Sequence, residues 1–122
     1  MTTLLQLGET GQAVVGASAI AANTLVKFHT DGTLIVCAGS GDRAIGSVQD
    51  AYAIGALATY YKCRGNTHHI THFSAVAAGD LVKTYAGGLV VPESSPAVAT
   101  AATVGQAITA SASDNTIEVV LF

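Results

Sequence analysis

The stretch SAIAANTLVK, from Ser18 to Lys27, returns 56 positions later as SAVAAGDLVK, from Ser74 to Lys83, with seven of ten residues identical. Three further pairs of blocks follow in the same order along the chain: Gly32–Val36 with Gly87–Val91, Ala44–Val48 with Thr103–Ala107, and Ala58–Tyr61 with Ile117–Val120. Because the order is kept over distant blocks, the pattern predicts two copies of one motif folded against each other.

Short β-branched runs, separated every eight to twelve residues by Gly, Asn or Asp, predict an all-β fold of the sandwich or barrel type. Tight hairpin turns are expected at Thr30–Gly32 and at Ala86–Gly88, since Asp and Gly accept positive φ. Ala-rich composition allows at most one or two short helical turns, at Ala17–Ala22 and Ala97–Ala102. The predicted strands are Gln12–Val15, Leu25–His29, Thr33–Cys37, Ile45–Gln49, Ala56–Cys63, Leu81–Tyr85, Leu89–Val91, Gly105–Thr109 and Thr116–Phe122.

The 122 residues fit one domain, which can bury enough surface to fold without a metal or disulfide. We expect a single β domain over residues 12–122, with the repeat covering about 18–63 and 74–122. Residues 1–11 are predicted to form an N-terminal arm. Within it, Thr2–Leu7 is uncharged and alternating, so it can add a strand to a neighbouring sheet edge. A frayed terminus is the alternative.

Only 11% of the residues are charged, well below the usual quarter for a soluble domain. Either small, weakly polar residues form the exposed surface, or much of that surface is buried against other copies or a larger assembly, where charge is depleted. The net charge is −3 and the five basic residues are scattered, which argues against nucleic-acid binding. The richest apolar stretch, residues 51–61, is too short for a membrane span, and the first residues lack a secretory signal pattern. The expectation is a soluble protein made in the cytoplasm.

Cys37 and Cys63 are the only cysteines, and no CxxC spacing occurs. Both lie in predicted strands, so buried free thiols are expected. A disulfide stays open as the alternative, because residues 26 apart can lie on neighbouring strands.

His68, His69 and His72 form the one cluster with metal-ligand character. The neighbouring Thr and Ile residues favour a strand, which would place His68, Ile70 and His72 on one face and His69 on the other. The spacing matches neither a structural nor a catalytic zinc motif, so solvated or interface histidines are expected. A metal shared across a symmetry axis is the alternative. We predict no metal site and no cofactor.

No serine or cysteine lies in a nucleophile motif, and the only resemblance to a nucleophile elbow, Gly39-Ser40-Gly41, is too short to match. Asp31, Asp42 and Asp50 fall in predicted turns, where Asp bonds its own backbone. The sequence therefore predicts no catalytic residues and no enzymatic activity.

The blocks Ala19–Val26, Ala75–Val82, Ala44–Val48 and Val104–Ala107, with the ending Thr116–Phe122, resemble a family of small tailed-phage capsid cement proteins. That family is related in architecture to the head decoration protein D of phage lambda. The resemblance spans nearly the whole chain and rests on Gly and Ala patterns. It departs from the family at Asn23-Thr24, where Gly-Asp is usual, although Gly79-Asp80 keeps that pair.

The resemblance implies a compact β-barrel or β-clip domain of the β-tulip type, which assembles as a homo-oligomer, with a trimer favoured over a dimer. It also implies a decoration protein on the outer surface of the virion, bound to the major capsid protein, with contacts expected from Thr2, Thr3, Leu4, Leu5, Gln6 and Leu7. The alternative is a surface module that binds a host glycan through loops at Gly39–Asp42 and Pro92–Pro96. No nucleic acid or membrane partner is expected.

Overall fold

The computed structural model describes residues 9–38, 42–63, 66–94, 103–110 and 115–122. In these residues, ten strands form two antiparallel five-stranded sheets. Sheet 1 contains β1 (Thr10–Val14), β2 (Thr24–Phe28), β3 (Leu34–Val36), β4 (Gly46–Val48) and β5 (Leu57–Lys62). Sheet 2 contains β6 (Thr67–Thr71), β7 (Leu81–Tyr85), β8 (Leu89–Pro92), β9 (Thr103–Ala107) and β10 (Thr116–Leu121).

The all-β class predicted from the sequence is confirmed, and all nine predicted strands have an observed strand within a few residues. A 3-10 turn covers Ala86–Gly88, in the predicted hairpin, and residues 17–22 are not helical. The other predicted helical turn, residues 97–102, lies outside the described residues. Within the described residues, no continuous ladder joins the first and last strand of either sheet, so the expected barrel is not closed.

Both sheets have the same strand order. Sheet 1 runs β1-β5-β4-β2-β3, and sheet 2 runs β6-β10-β9-β7-β8. An isolated parallel bridge, Val15 to Leu34, brings the end of β1 to β3, and the bridge from His72 to Val90 does the same for β6 and β8. Each sheet therefore curls on itself in the same way, in agreement with the duplicated motif predicted from the sequence.

Hydrogen bonds outside the ladders identify which residues of the two sheets occupy equivalent places, and we call such residues counterparts. The Cys37 N–H donates to the Leu25 carbonyl (3.0 Å), and the Glu93 N–H donates to the Leu81 carbonyl (2.8 Å). In the same way, the Cys63 N–H donates to the Ile45 carbonyl, and the Phe122 N–H donates to the Val104 carbonyl. Leu25 and Leu81 are thus counterparts, as are Cys37 and Glu93.

The hairpin registers refine the sequence alignment. Phe28 pairs with Leu34 in sheet 1, and Thr84 pairs with Val90 in sheet 2. The counterpart of Leu34 is therefore Val90 rather than Leu89, one residue away from the match that the sequence indicates.

Two glycines repeat because two strands approach closely. A Cβ at Gly46 would overlap the carbonyl oxygen of Tyr61 on β5, and a Cβ at Gly105 would overlap that of Val120 on β10. The turn before β2 also repeats. Asn23 and its counterpart Gly79 both have positive φ, at 60° and 89°. Asn tolerates this left-handed conformation better than most residues, so the departure from Gly-Asp does not change the turn.

Each sheet encloses an apolar core. The core of sheet 1 is built from its own residues: Val15, Ile20, Val26, Leu34, Val48, Ala58 and Tyr60. The core of sheet 2 includes Ile70, Val82, Val90, Val119 and Leu121, and it also includes Leu25 and Cys37 from sheet 1. Sheet 1 therefore closes the core of sheet 2.

The first strand of each sheet lies before the predicted start of its repeat, since β1 begins at Thr10 and β6 begins at Thr67. β1 also begins inside the range predicted as an arm, residues 1–11. β1 is an edge strand of sheet 1.

Candidate functional site

The residues predicted to contact a capsid, Thr2 to Leu7, lie outside the described residues. The described chain starts at Glu9, whose carbonyl accepts a hydrogen bond from the Lys62 N–H at 2.9 Å. The Glu9 carboxylate lies 3.6 Å from Lys62 Nζ, and both side chains are largely exposed. Glu9 therefore lies beside Lys62 at the start of β1, an edge strand of sheet 1.

The two sheets meet through backbone hydrogen bonds, and we call this region the sheet contact. The Gly88 N–H donates to the Cys37 carbonyl at 2.8 Å, and the Thr71 N–H donates to the Asn23 carbonyl at 2.8 Å. Leu25, between these two bonds, is fully buried. The turn after β7 and the end of β6 are thus held against the start of β2.

Gly88 is required at this point for two reasons. Its φ is +77°, and an added Cβ would lie 2.6 Å from the Leu25 carbonyl oxygen. A side chain would therefore both strain the turn and push the sheets apart.

A buried polar chain crosses the sheet contact beside Leu25. Ser47 Oγ lies 2.6 Å from His68 Nδ1, and the Gln49 amide donates to Ser47 Oγ at 2.9 Å. Ser47 and His68 are both fully buried. Because Ser47 Oγ accepts from Gln49, its own hydrogen is available for the neutral His68 ring. Burial lowers the pKa of His68 to about 4, against a smaller opposing effect of the Lys62 carbonyl.

The histidine cluster does not converge on one point. Residues 67–71 form a strand, and its register confirms the predicted alternation, with His68 and Ile70 buried and His69 opposite Glu118. His69 Nε2 is 3.3 Å from the buried Glu118 carboxylate, whereas His72 Nδ1 is 3.0 Å from the Ser74 carbonyl. His68 is thus an interface histidine between the sheets and is not solvated. The described part of the chain holds no group of three His, Cys, Asp or Glu side chains placed to share a metal ion.

Both cysteines are free thiols, as predicted. Cys37 is fully buried and belongs to the core that joins the sheets, and Cys63 packs against the same core. Burial raises the pKa of Cys37 to about 12 and that of Cys63 to about 11. Such thiols are weak nucleophiles at neutral pH.

The loops considered for glycan binding are described only in part, at Asp42 and at Pro92–Ser94. Asp42 accepts from Lys27 Nζ at 2.6 Å and from the Ala38 N–H. Pro92–Ser94 lines an open cleft of about 400 Å³, which we call the sheet-2 cleft; its other lining residues are Gly79, Asp80 and Leu81.

Exposed apolar side chains are the feature that sequence patterns did not single out. The large ones are Val14, Phe28, Ile54, Leu57, Phe73, Leu81 and Phe122. Leu81 is 41% exposed, whereas its counterpart Leu25 is 0% exposed. Phe28 is 45% exposed, whereas its counterpart Thr84 is 0% exposed. Matching the two repeats residue by residue could have identified these positions, but the sequence alone does not tell which copy is covered.

Phe28 lies at a second cleft, of about 520 Å³, which we call the sheet-1 cleft. Tyr60 meets the Phe28 ring edge to face, with centroids 5.7 Å apart. Arg43 and Lys62 line the same cleft, so it combines aromatic surface with positive charge. Within the described segments, no helix has the length and apolar character needed to cross a membrane.

No protein-family model and no curated protein matches the sequence. The structure is similar to the crystal structure of the N base of the head fiber gp8.5 of bacteriophage phi29. The TM-score is 0.70 at 16% sequence identity, and the match covers 93% of each chain. This likeness shows that the chain shares the fold of a phage head fiber base. The relation to the lambda decoration protein stays a prediction.

Proposed function

We propose that the protein is a non-enzymatic structural protein of a phage virion, which decorates the outer surface of the major capsid protein lattice as a homo-oligomer and stabilises the head. The observation that carries the proposal is the fold match to a head fiber base over 93% of both chains. A fold alone does not fix a function, so the surface chemistry must also suit the role.

The surface supports a role in assembly. Charged residues make up only 11% of the chain, and seven large apolar side chains are exposed in the described residues. Burying such a surface against a neighbour costs little desolvation of charge. Weak contacts that are repeated over a lattice add up by multivalency, so a small domain can stabilise a shell without an active site.

The predicted arm supplies the capsid contact in this proposal. Residues 2–7 precede β1, an edge strand, and a short, uncharged, alternating segment can pair with a strand edge of a capsid subunit. Because β1 is held by β5 and by the Glu9 to Lys62 hydrogen bond, removal of residues 1–7 should leave the sheets intact.

Co-sedimentation with purified heads tests the proposal. We expect the full chain to sediment with heads at a saturating, symmetric stoichiometry, and we expect deletion of residues 1–7 to lower occupancy without lowering the melting temperature. A triple variant with Ser in place of Leu4, Leu5 and Leu7 should show the same loss of occupancy on heads. The control is the double variant Thr2→Ser with Thr3→Ser, which should bind heads like the full chain. If the full chain does not sediment with heads and instead binds host-cell glycans, the proposal is refuted in favour of the surface-module alternative.

A further inference from the structure

We propose that a second copy of this chain docks head to tail, with the sheet-1 cleft of one copy packed on the sheet-2 cleft of the next, in the arrangement that sheet 1 and sheet 2 already adopt within one chain. The inference rests on the self-association in the proposed function and names the surfaces that carry it.

The first line of support is the sheet-2 cleft. It is built on Gly79 and Leu81, the counterparts of Asn23 and Leu25 at the sheet contact. Around Leu25 the equivalent space is filled by Gly88, whose N–H donates to Cys37. Around Leu81 it is an open volume of about 400 Å³, and Leu81 is 41% exposed. The two segments therefore share one backbone geometry, but only the segment around Leu25 is covered by the other sheet.

The second line of support is the core of sheet 1. Leu25 and Cys37 from sheet 1 close the core of sheet 2, whereas the core cluster of sheet 1 contains residues of that sheet alone. On this open side Phe28 is 45% exposed, where its counterpart Thr84 is buried. The counterparts of Leu25 and Cys37 are Leu81 and Glu93, which both line the sheet-2 cleft. The sheet-2 cleft of another copy is therefore the surface expected to cover the open side of the sheet 1 core.

The edge of β1 provides a matching backbone donor. The Thr71 N–H, at the end of β6, bonds the Asn23 carbonyl across the sheet contact. Its counterpart is Val14 on the edge strand β1. Hydrogen bonds from Lys62 to Glu9 and from Val15 to Ala56 fix the alternation of the ladder, so the Val14 N–H points away from β5. It can therefore bond the Gly79 carbonyl of a second copy.

The charges of the two clefts are complementary. Asp80 and Glu93 line the sheet-2 cleft, where sheet 1 has Thr24 and Cys37. Arg43 and Lys62 line the sheet-1 cleft beside Phe28, where Lys62 Nζ also lies 3.6 Å from the exposed Glu9 carboxylate. Opposite charges at the rim favour this pairing over contact between two like clefts.

A contact between two different surfaces is heterologous, so each copy keeps one unused cleft until a ring closes or a filament grows. This property distinguishes the proposal from a two-fold dimer, in which both copies use the same surface.

Sedimentation velocity of the free protein in solution tests the inference. The wild-type chain is expected to form a closed ring or a filament. Leu81→Glu and Phe28→Glu, each alone, should weaken self-association more than about tenfold, since each buries a charge in the contact. Phe73→Glu is the control: Phe73 is 56% exposed, and its counterpart Gly16 takes no part in the sheet contact. That variant should associate like the wild type, and melting temperatures check that all variants fold.

Mixing the two defective variants gives the decisive result. The Leu81→Glu chain keeps an intact sheet-1 cleft and the Phe28→Glu chain keeps an intact sheet-2 cleft, so the mixture should form one-to-one pairs that neither variant forms alone. A monomeric wild type, or a mixture that stays monomeric, would overturn the head-to-tail contact. The capsid role would fail separately, as an associated wild type that does not sediment with heads.

Discussion

Acid should weaken the fold in part through the buried His68. Its pKa falls from 6.5 in the unfolded chain to about 4 in the folded chain, because it is buried at the sheet contact beside Ser47. As pH drops below 6.5, the unfolded chain takes up a proton that the folded chain does not, so stability falls until the pH reaches the folded value. Between pH 7 and 4.5 this linkage removes about 2 kcal/mol from the free energy of unfolding.

Urea unfolding at a series of pH values measures this loss. His68→Gln changes the stability at every pH, so the quantity to compare is the difference between pH 7 and pH 4.5, which should be smaller in the variant by about 2 kcal/mol. His29→Gln, at an exposed residue outside the sheet contact, is the control for removing a histidine. An equal loss of stability in wild type and His68→Gln would refute the assignment of a neutral, buried His68.

Two other tests address the close strands and the thiols. Gly105→Ala should lower the free energy of unfolding by about 2 kcal/mol or more, since the new Cβ would overlap the Val120 backbone. The control is Gln106→Ala, at the exposed neighbouring residue, which should lower it by less than about 1 kcal/mol. Equal losses in the two variants would contradict the close approach of the strands at Gly105. Cys37 and Cys63 should react with a disulfide reagent at pH 8 at least about a hundred-fold more slowly in the native protein than in urea, because burial keeps both thiols protonated. Rapid native labelling of both would show that the core between the sheets is open.

The fold class could be predicted because its signals are local. Asp31-Gly32 and Gly87-Gly88 mark hairpins through their need for positive φ, and both turns have it at glycine. Gly46 and Gly105 lie where a neighbouring strand leaves no room for a Cβ. This steric requirement appears in the sequence as a glycine at the same place in both repeats. Such constraints act within a few residues or between adjacent strands, so they leave a mark in the sequence.

The candidate surfaces could not be predicted because they depend on which copy of the repeat is covered. Leu25 and Leu81 are the same residue and both are followed by Val-Lys, yet one is buried and the other is 41% exposed. His68 was expected to be solvated or at an interface, and its burial follows from the packing of β6 against β4, which no local pattern shows.

The two halves differ in burial at the sheet contact and at the positions equivalent to it. Internal positions agree, as with Val26 and Val82, which are both fully buried. At the sheet contact they diverge: Cys37, buried against sheet 2, has Glu93 as its exposed counterpart, and buried Thr84 has the exposed Phe28. Once two copies are joined in one chain, each can change its outer face without changing the other. One contact is then a core between the sheets, and the equivalent surface around Leu81 and Glu93 is the one that the proposed head-to-tail contact would use.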